Sequence, residues 1–353
     1  MFRRQFVRAS LPVVGAGLTV RGSIGRGGAD RQTQHASQNR DLTAEIPPSN
    51  QWVPTERYEP SGDGVFFTHV DWKLIGELNG DESTSERSRS DQSSEDDADA
   101  APIVSIPRYG AYVTSYTYYG VLRYPFAELL YPQEGPYLDG IETQTMTWTD
   151  GVLIFHGTYD VDAFGGDVTD GFARVDENET VTIFGGTDAI THGLGFAVSE
   201  DAVVVGLDDD SDHDPIDLVD AIVDRSGVGR DRIVDTDDGR WLFDSTGDAQ
   251  MQYGRWQYGG DDILGVGGNG SLEDERGSDD PVTDSIESVI SNLAFAVEEG
   301  TMVDRLARFA AIYRDDDTPS ESEVREHLLG GIDRPHRIDV GSDRISVRAS
   351  IDA

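Results

Sequence analysis

Phe196-Ala197-Val198-Ser199-Glu200-Asp201-Ala202-Val203-Val204-Val205 carries two apolar runs on either side of a short polar corner. Short valine-rich runs flanking Ser, Glu and Asp read as the two arms of a β-hairpin. Asp214-Pro215 then starts a helix over Ile216 to Asp224, because aspartate caps a helix N-terminus and proline suits its first position.

The same order recurs along the chain. Upstream, Met146-Thr147-Trp148 passes through Asp150-Gly151 into Val152-Leu153-Ile154-Phe155, and Asp160 stands where it would cap a helix from Val161. Downstream, Phe295-Ala296-Val297-Glu298-Glu299-Gly300 turns into Leu306 to Tyr313, and a helix follows over Pro319 to Leu329. The related words beginning at Phe196 and Phe295 stand 99 positions apart. A last hairpin joins Arg337–Val340 to Arg344–Ala349 around Gly341-Ser342-Asp343, and Val65 to Val70 reads as an early strand before helical turns over Trp72 to Leu78. Repeated hairpin-plus-helix units predict an α+β fold, with antiparallel sheet or sheets and the helices on one face.

Tyr112 and Tyr116 stand at i and i+4 with Tyr119 next, and Phe126, Leu129 and Leu130 continue the helical register after Pro125, which predicts a broken helix. Nine aromatics between Tyr109 and Tyr137 suit either packing or stacking on sugar rings, and tyrosines at helical spacing favour packing. Residues 29–60 are polar and aperiodic and read as a linker. A Ser/Asp/Glu-rich insertion at 81–101 has no apolar anchor and reads as disordered. The body is placed at 61–353, and whether it divides into sub-domains near 260–280 is open.

Charge bounds the solvent and the partners. In 353 residues, 67 acids oppose 28 Lys and Arg, a formal net charge of -39, and Lys73 is the only lysine. Self-repulsion on that scale becomes tolerable where the Debye length shrinks, to roughly 3 Å at 1 M salt. The acids are interleaved with apolar runs along the whole chain, unlike the blocks of an acidic tail. Nucleic acid and anionic membrane surfaces call for clustered bases, and none occurs after the first eight residues, so neither is an expected partner. The absence of cysteine excludes disulfides, thiolate catalysis and thiolate metal ligation.

Phe2-Arg3-Arg4-Gln5-Phe6-Val7-Arg8 precedes a short, weakly apolar stretch from Ala9 to Val20. It resembles the twin-arginine signal, with Arg3, Arg4, Phe6 and Val7 as the targeting residues, and 1–28 is read as the signal peptide. The aspartate excess and lysine depletion resemble exported proteins of halophilic archaea. The resemblance covers the signal and the composition, not the body, and implies export in the folded state through the twin-arginine translocase. Asn178-Glu179-Thr180 and Asn269-Gly270-Ser271 make Asn178 and Asn269 glycosylation candidates in that setting.

Tests for chemistry return little. Gly265-Val266-Gly267-Gly268-Asn269-Gly270 has dinucleotide-loop spacing, but the acids Glu273-Asp274-Glu275 follow where phosphate would lie. Asp208, Asp210 and Asp212 alternate as in calcium loops, yet the sixth-position glycine and the twelfth-position acid are missing, so a solvated turn competes with a surface cation site. Asp244-Ser245-Thr246-Gly247 lacks both the spacing and the second copy of an aspartic protease. The histidines have no metal-ligand spacing. His69 and His156 fall in predicted strands, and His156, His192 and Asp160 are the candidate catalytic set if the fold gathers them. No cofactor is expected. The leading reading is a non-catalytic extracellular or cell-surface binding or envelope protein. The alternatives are a secreted hydrolase with a His/carboxylate site and a solute- or cation-binding module.

Overall fold

The computed structural model describes residues 53, 64–72, 101–122, 124–130, 141–149, 151–164, 170–177, 181–188, 190–207, 214–227, 232–257, 282, 285–298, 301–314, 317–330, 332 and 336–351. The signal, the linker and the 81–101 insertion lie essentially outside them.

The corner at Ser199 builds its own hairpin. Ser199 N–H donates to Ala202 O at 2.8 Å, while Ser199 Oγ accepts from Ala202 N–H at 3.0 Å and donates to Asp201 Oδ1 at 2.6 Å. These bonds close β6 (Leu194–Val198) onto β7 (Ala202–Leu207). Gly151, at φ +82°, makes the corresponding corner between β2 (Glu142–Thr149) and β3 (Val152–Thr158), a left-handed conformation that favours glycine. In β9 (Ile286–Glu298) and β10 (Thr301–Tyr313), Glu298 stands opposite Thr301. Gly341 N–H donates to Arg344 O at 2.7 Å between β11 (His336–Val340) and β12 (Arg344–Ile351).

With β1 (Val65–Asp71), β4 (Phe172–Glu177), β5 (Thr182–Gly186) and β8 (Met251–Trp256), the strands form one twelve-stranded sheet in the order β11, β12, β10, β9, β8, β1, β2, β3, β7, β6, β5, β4. Every neighbouring pair is antiparallel. The strands that flank 260–280 in sequence, β8 and β9, are hydrogen-bonded neighbours.

Helices cover both faces. On one face α1 (Pro102–Val121) runs across the middle of the sheet. Ile103, Val104 and Ile106 near its start join β9, β10 and β12 in one cluster, and Tyr118 and Val121 near its end join β3, β6 and β7 in another. Close approach is set by Gly110, where a Cβ would lie 3.2 Å from Thr68 Cγ2 and 3.3 Å from Gln252 O. On the opposite face α2 (Pro215–Gly227) packs Leu218, Val219 and Ile222 on Val152, Ile154 and Val204, while α3 (Asp237–Thr246) packs Leu242 and Phe243 on Phe67, Ile290 and Ala310. Finally α4 (Glu321–His327), held by a Ser320/Glu323 capping box, returns to the α1 face through Val324.

This corrects the expected α+β arrangement with helices on one face. The protein is mostly β, with few helices, and they lie on both sides. Two features of the repeat reading fail physically. The helix expected after β3 is a single 3₁₀ turn, Val161–Ala163, and the helices after the β6–β7 and β9–β10 hairpins pack on opposite faces. The break expected in the tyrosine helix is present: α1 ends at Val121 and a 3₁₀ helix, Pro125–Leu130, follows.

Candidate functional site

Alternate residues of a strand face opposite sides, so register decides which side chains share a surface. His69 on β1 stands opposite Gln252 on β8 and Thr147 on β2. Gln252 stands opposite Asn292 on β9, and Asn292 opposite Arg308 on β10. A row of polar side chains therefore crosses the middle of the sheet on the α2/α3 face. One step along the strands, Asp71, Thr145 and His156 form a second row on β1, β2 and β3. The helices of this face lie to either side, α3 against β9 and β10 and α2 against β5, β6 and β7.

The first row is buried: Thr147 is 0 %, Asn292 1 %, Gln252 2 % and His69 6 % exposed. His69 Nδ1 shares a hydrogen bond of 3.0 Å with Thr147 Oγ1. Asn292 Nδ2 donates to Gly247 O at 2.6 Å, and Arg308 Nη1 donates to Thr246 O at 2.6 Å. These carbonyls belong to the C-terminal end of α3, where carbonyls lack intrahelical donors and the helix dipole favours a guanidinium. Gln252 Oε1 and Asn292 Oδ1 are buried without a hydrogen-bond partner among the described residues. A buried amide oxygen left unbonded costs about 1–3 kcal/mol, so two on adjacent strands call for a donor such as water or a solute.

Both histidines of the region are held neutral. Burial pushes the His69 imidazole down to about 3, with His156 adding to the effect, and burial pushes His156 down to about 4 against the opposing pull of the Asp201 carboxylate. The two rows thus bring together neutral imidazoles, amide oxygens and hydroxyls, with the Asp71 carboxyl on β1 and one guanidinium at the β10 end.

The candidate catalytic residues are not brought together. His156 is half-buried on β3, whereas Asp160 is exposed and caps the 3₁₀ turn by accepting from Asp162 N–H at 3.0 Å. His192 is exposed on the turn before β6, beyond the end of the strand where Leu194 faces Leu207. His156 faces Ala202 at the other end of β7, so the two histidines lie roughly 20 Å apart along the strands. Among the described residues no group of three His, Cys, Asp or Glu is placed to hold a metal ion, and no helix is long and apolar enough to cross a membrane. The tyrosine stripe divides: Tyr118 and Tyr124 are buried, while Tyr112 and Tyr116 stack with ring centroids 6.3 Å apart, 53 % and 60 % exposed.

Arg3, Arg4, Phe6, Val7, Asn178, Asn269, Asp208, Asp210 and Asp212 lie outside the described residues. Gln252 and Asn292 escape motif reading. Their one local signal is an amide set among strand-forming residues, as in Ile290-Ser291-Asn292-Leu293. No family model, curated protein or solved structure matches this chain.

Proposed function

We propose that this chain is a salt-adapted protein, exported by the twin-arginine translocase, that acts outside the cell or at its surface as a non-catalytic binding protein. The net charge of -39 and the Arg3-Arg4 signal motivate the location. The observation that carries the binding reading is the pair of unbonded amide oxygens, Gln252 Oε1 and Asn292 Oδ1, beside the neutral His69. An uncharged small solute bearing hydroxyl or amide donors is the chemistry that satisfies them.

The competing reading, a secreted hydrolase built on His156, His192 and Asp160, draws less support because those groups are dispersed over both ends of the strands. A sugar-stacking module rests on Tyr112 and Tyr116 alone.

The test is a titration of the folded protein in molar salt with glucose and with acetamide, read from the side-chain amide resonances of Gln252 and Asn292. Saturable shifts that vanish in Gln252→Leu support the reading. Unchanged resonances with both probes, and ordered water on both oxygens in a crystal, assign the row to the core and end it. Export is checked on the host by mass spectrometry of the mature N-terminus: a shortened chain outside the cell, lost when Arg3 and Arg4 become Lys, is the expected result.

A further inference from the structure

The two edges of the sheet are built differently. At one end, β4 carries a bulge between Arg174 and Asp176, and a bulged, charged edge discourages further pairing. At the other end β11, His336-Arg337-Ile338-Asp339-Val340, pairs with β12 in unbroken register, and among the described residues no strand pairs with its outer side. Val340 is 41 % exposed there.

The backbone phase of that edge is fixed. Gly341 N–H bonds to Arg344 O, so Gly341, Asp339 and Arg337 direct their backbone groups inward to β12. His336, Ile338 and Val340 therefore present theirs outward. An antiparallel neighbour can bond to them only in registers that match outward residues with outward residues.

Charge then chooses among those registers for a second copy of the same strand. With Ile338 opposite Ile338 of the second copy, Arg337 faces Asp339 of the second copy and Asp339 faces its Arg337. A slip to either side sets Arg337 against Arg337 or Asp339 against Asp339, which is unfavourable. The inner neighbours add to the preference. Arg337, Arg348 and Arg308 stand side by side across β11, β12 and β10, and Arg348 is exposed with no hydrogen bond or ion pair among the described residues. The self-paired edge places a carboxylate at the end of that row of three guanidinium groups.

We propose that β11 is a homodimer interface, in which two copies of the chain pair antiparallel about Ile338 and continue the sheet across a two-fold axis. Within one copy Arg337 Nε lies 2.7 Å from Asp339 Oδ2, with the side chains 78 % and 53 % exposed, so the pair that would exchange partners is already at the surface. The short edge makes the association weak, and the net charge of each copy makes it stronger as salt rises.

The test is sedimentation of the full chain in molar salt over a concentration series. A reversible monomer–dimer equilibrium is expected, weakened about tenfold or more in Arg337→Asp and in Asp339→Arg, each of which sets like charges opposite. An equimolar mixture of those two variants restores opposite charges at every pair, so heterodimer at wild-type strength is expected. Both positions are exposed, and circular dichroism verifies that each variant is folded. A wild type that stays monomeric at every concentration overturns the proposal. So does a dimer indifferent to both substitutions, or a mixture that fails to associate.

Discussion

Gln252 on β8 and Asn292 on β9 stand directly opposite one another across the sheet, and each has a buried amide oxygen that no group among the described residues satisfies. Their second polar atoms differ. Asn292 Nδ2 holds the carbonyl of Gly247, a residue at φ +60° that ends α3, whereas the Gln252 side chain makes no hydrogen bond among the described residues.

That difference separates two substitutions. Gln252→Leu removes an unbonded acceptor without orphaning a partner and is expected to leave stability unchanged or raise it by up to about 1 kcal/mol. Asn292→Leu strands the Gly247 carbonyl and is expected to cost about 1–2 kcal/mol. Thermal unfolding in molar salt measures both. Equal destabilisation by the two would show that the Gln252 oxygen is bonded in solution.

The buried histidines give a pH dependence of definite sign. Folding lowers His69 to about 3 and His156 to about 4 from an ordinary 6.5, so the unfolded chain binds more protons as pH falls. Their contribution is full above about pH 6.5 and is lost as pH falls toward the folded values, with a slope of about 1.4 kcal/mol per pH unit for each histidine. The double variant His69→Gln/His156→Gln is expected to lose that slope between pH 6 and about 4.5, above the range where carboxylates take up protons. An identical slope in wild type and variant would mean the imidazoles are hydrated in the folded state.

Much of the local structure is legible in the sequence, and the layering is legible only in retrospect. The corners at Gly151 and Ser199 follow from turn chemistry over a few residues. Val152-Leu153-Ile154-Phe155 and Ala202-Val203-Val204-Val205 hold the clue to helices on both faces, because they are apolar without alternation and a strand with one wet face would alternate. What no local signal supplies is the pairing of those two runs. The chain leaves β3 for the far edge at β4 and returns through β5 and β6 before β7 reaches β3. The polar row depends on the same long-range order, since His69, Thr147, Gln252 and Asn292 come from four separate strands and a slip of one residue would turn any of them to the other face.

Two glycines probe packing in opposite directions. A Cβ on Gly254 would fall 2.1 Å from the ring of Phe67, which packs beside Phe243 of α3, so Gly254→Ala must displace that ring and is expected to cost about 1–3 kcal/mol. A Cβ on Gly120 in the last turn of α1 meets nothing within 4 Å, and Gly120→Ala is expected to stabilise by about 0.5–1 kcal/mol through helix propensity. Thermal unfolding ranks them, and a tolerated Gly254→Ala would mean that Phe67 is not held against β8.

The charge of the whole chain sets the final expectation. Four apolar clusters on the two faces of the sheet drive folding, and a net charge of -39 opposes it over a distance set by salt. The Debye length grows from roughly 3 Å at 1 M to about 10 Å at 0.1 M, so carboxylates screened from one another in brine repel across several neighbours on dilution. Circular dichroism is expected to show reversible loss of the sheet below about 1 M salt. Sucrose at low ionic strength separates the causes, because it strengthens apolar burial without screening charge. Failure of sucrose to restore the fold, with recovery on adding KCl, identifies repulsion as the cause. Full recovery in sucrose alone would assign the salt requirement to the core, and spectra unchanged in dilute buffer would remove the argument for a salt-adapted protein altogether.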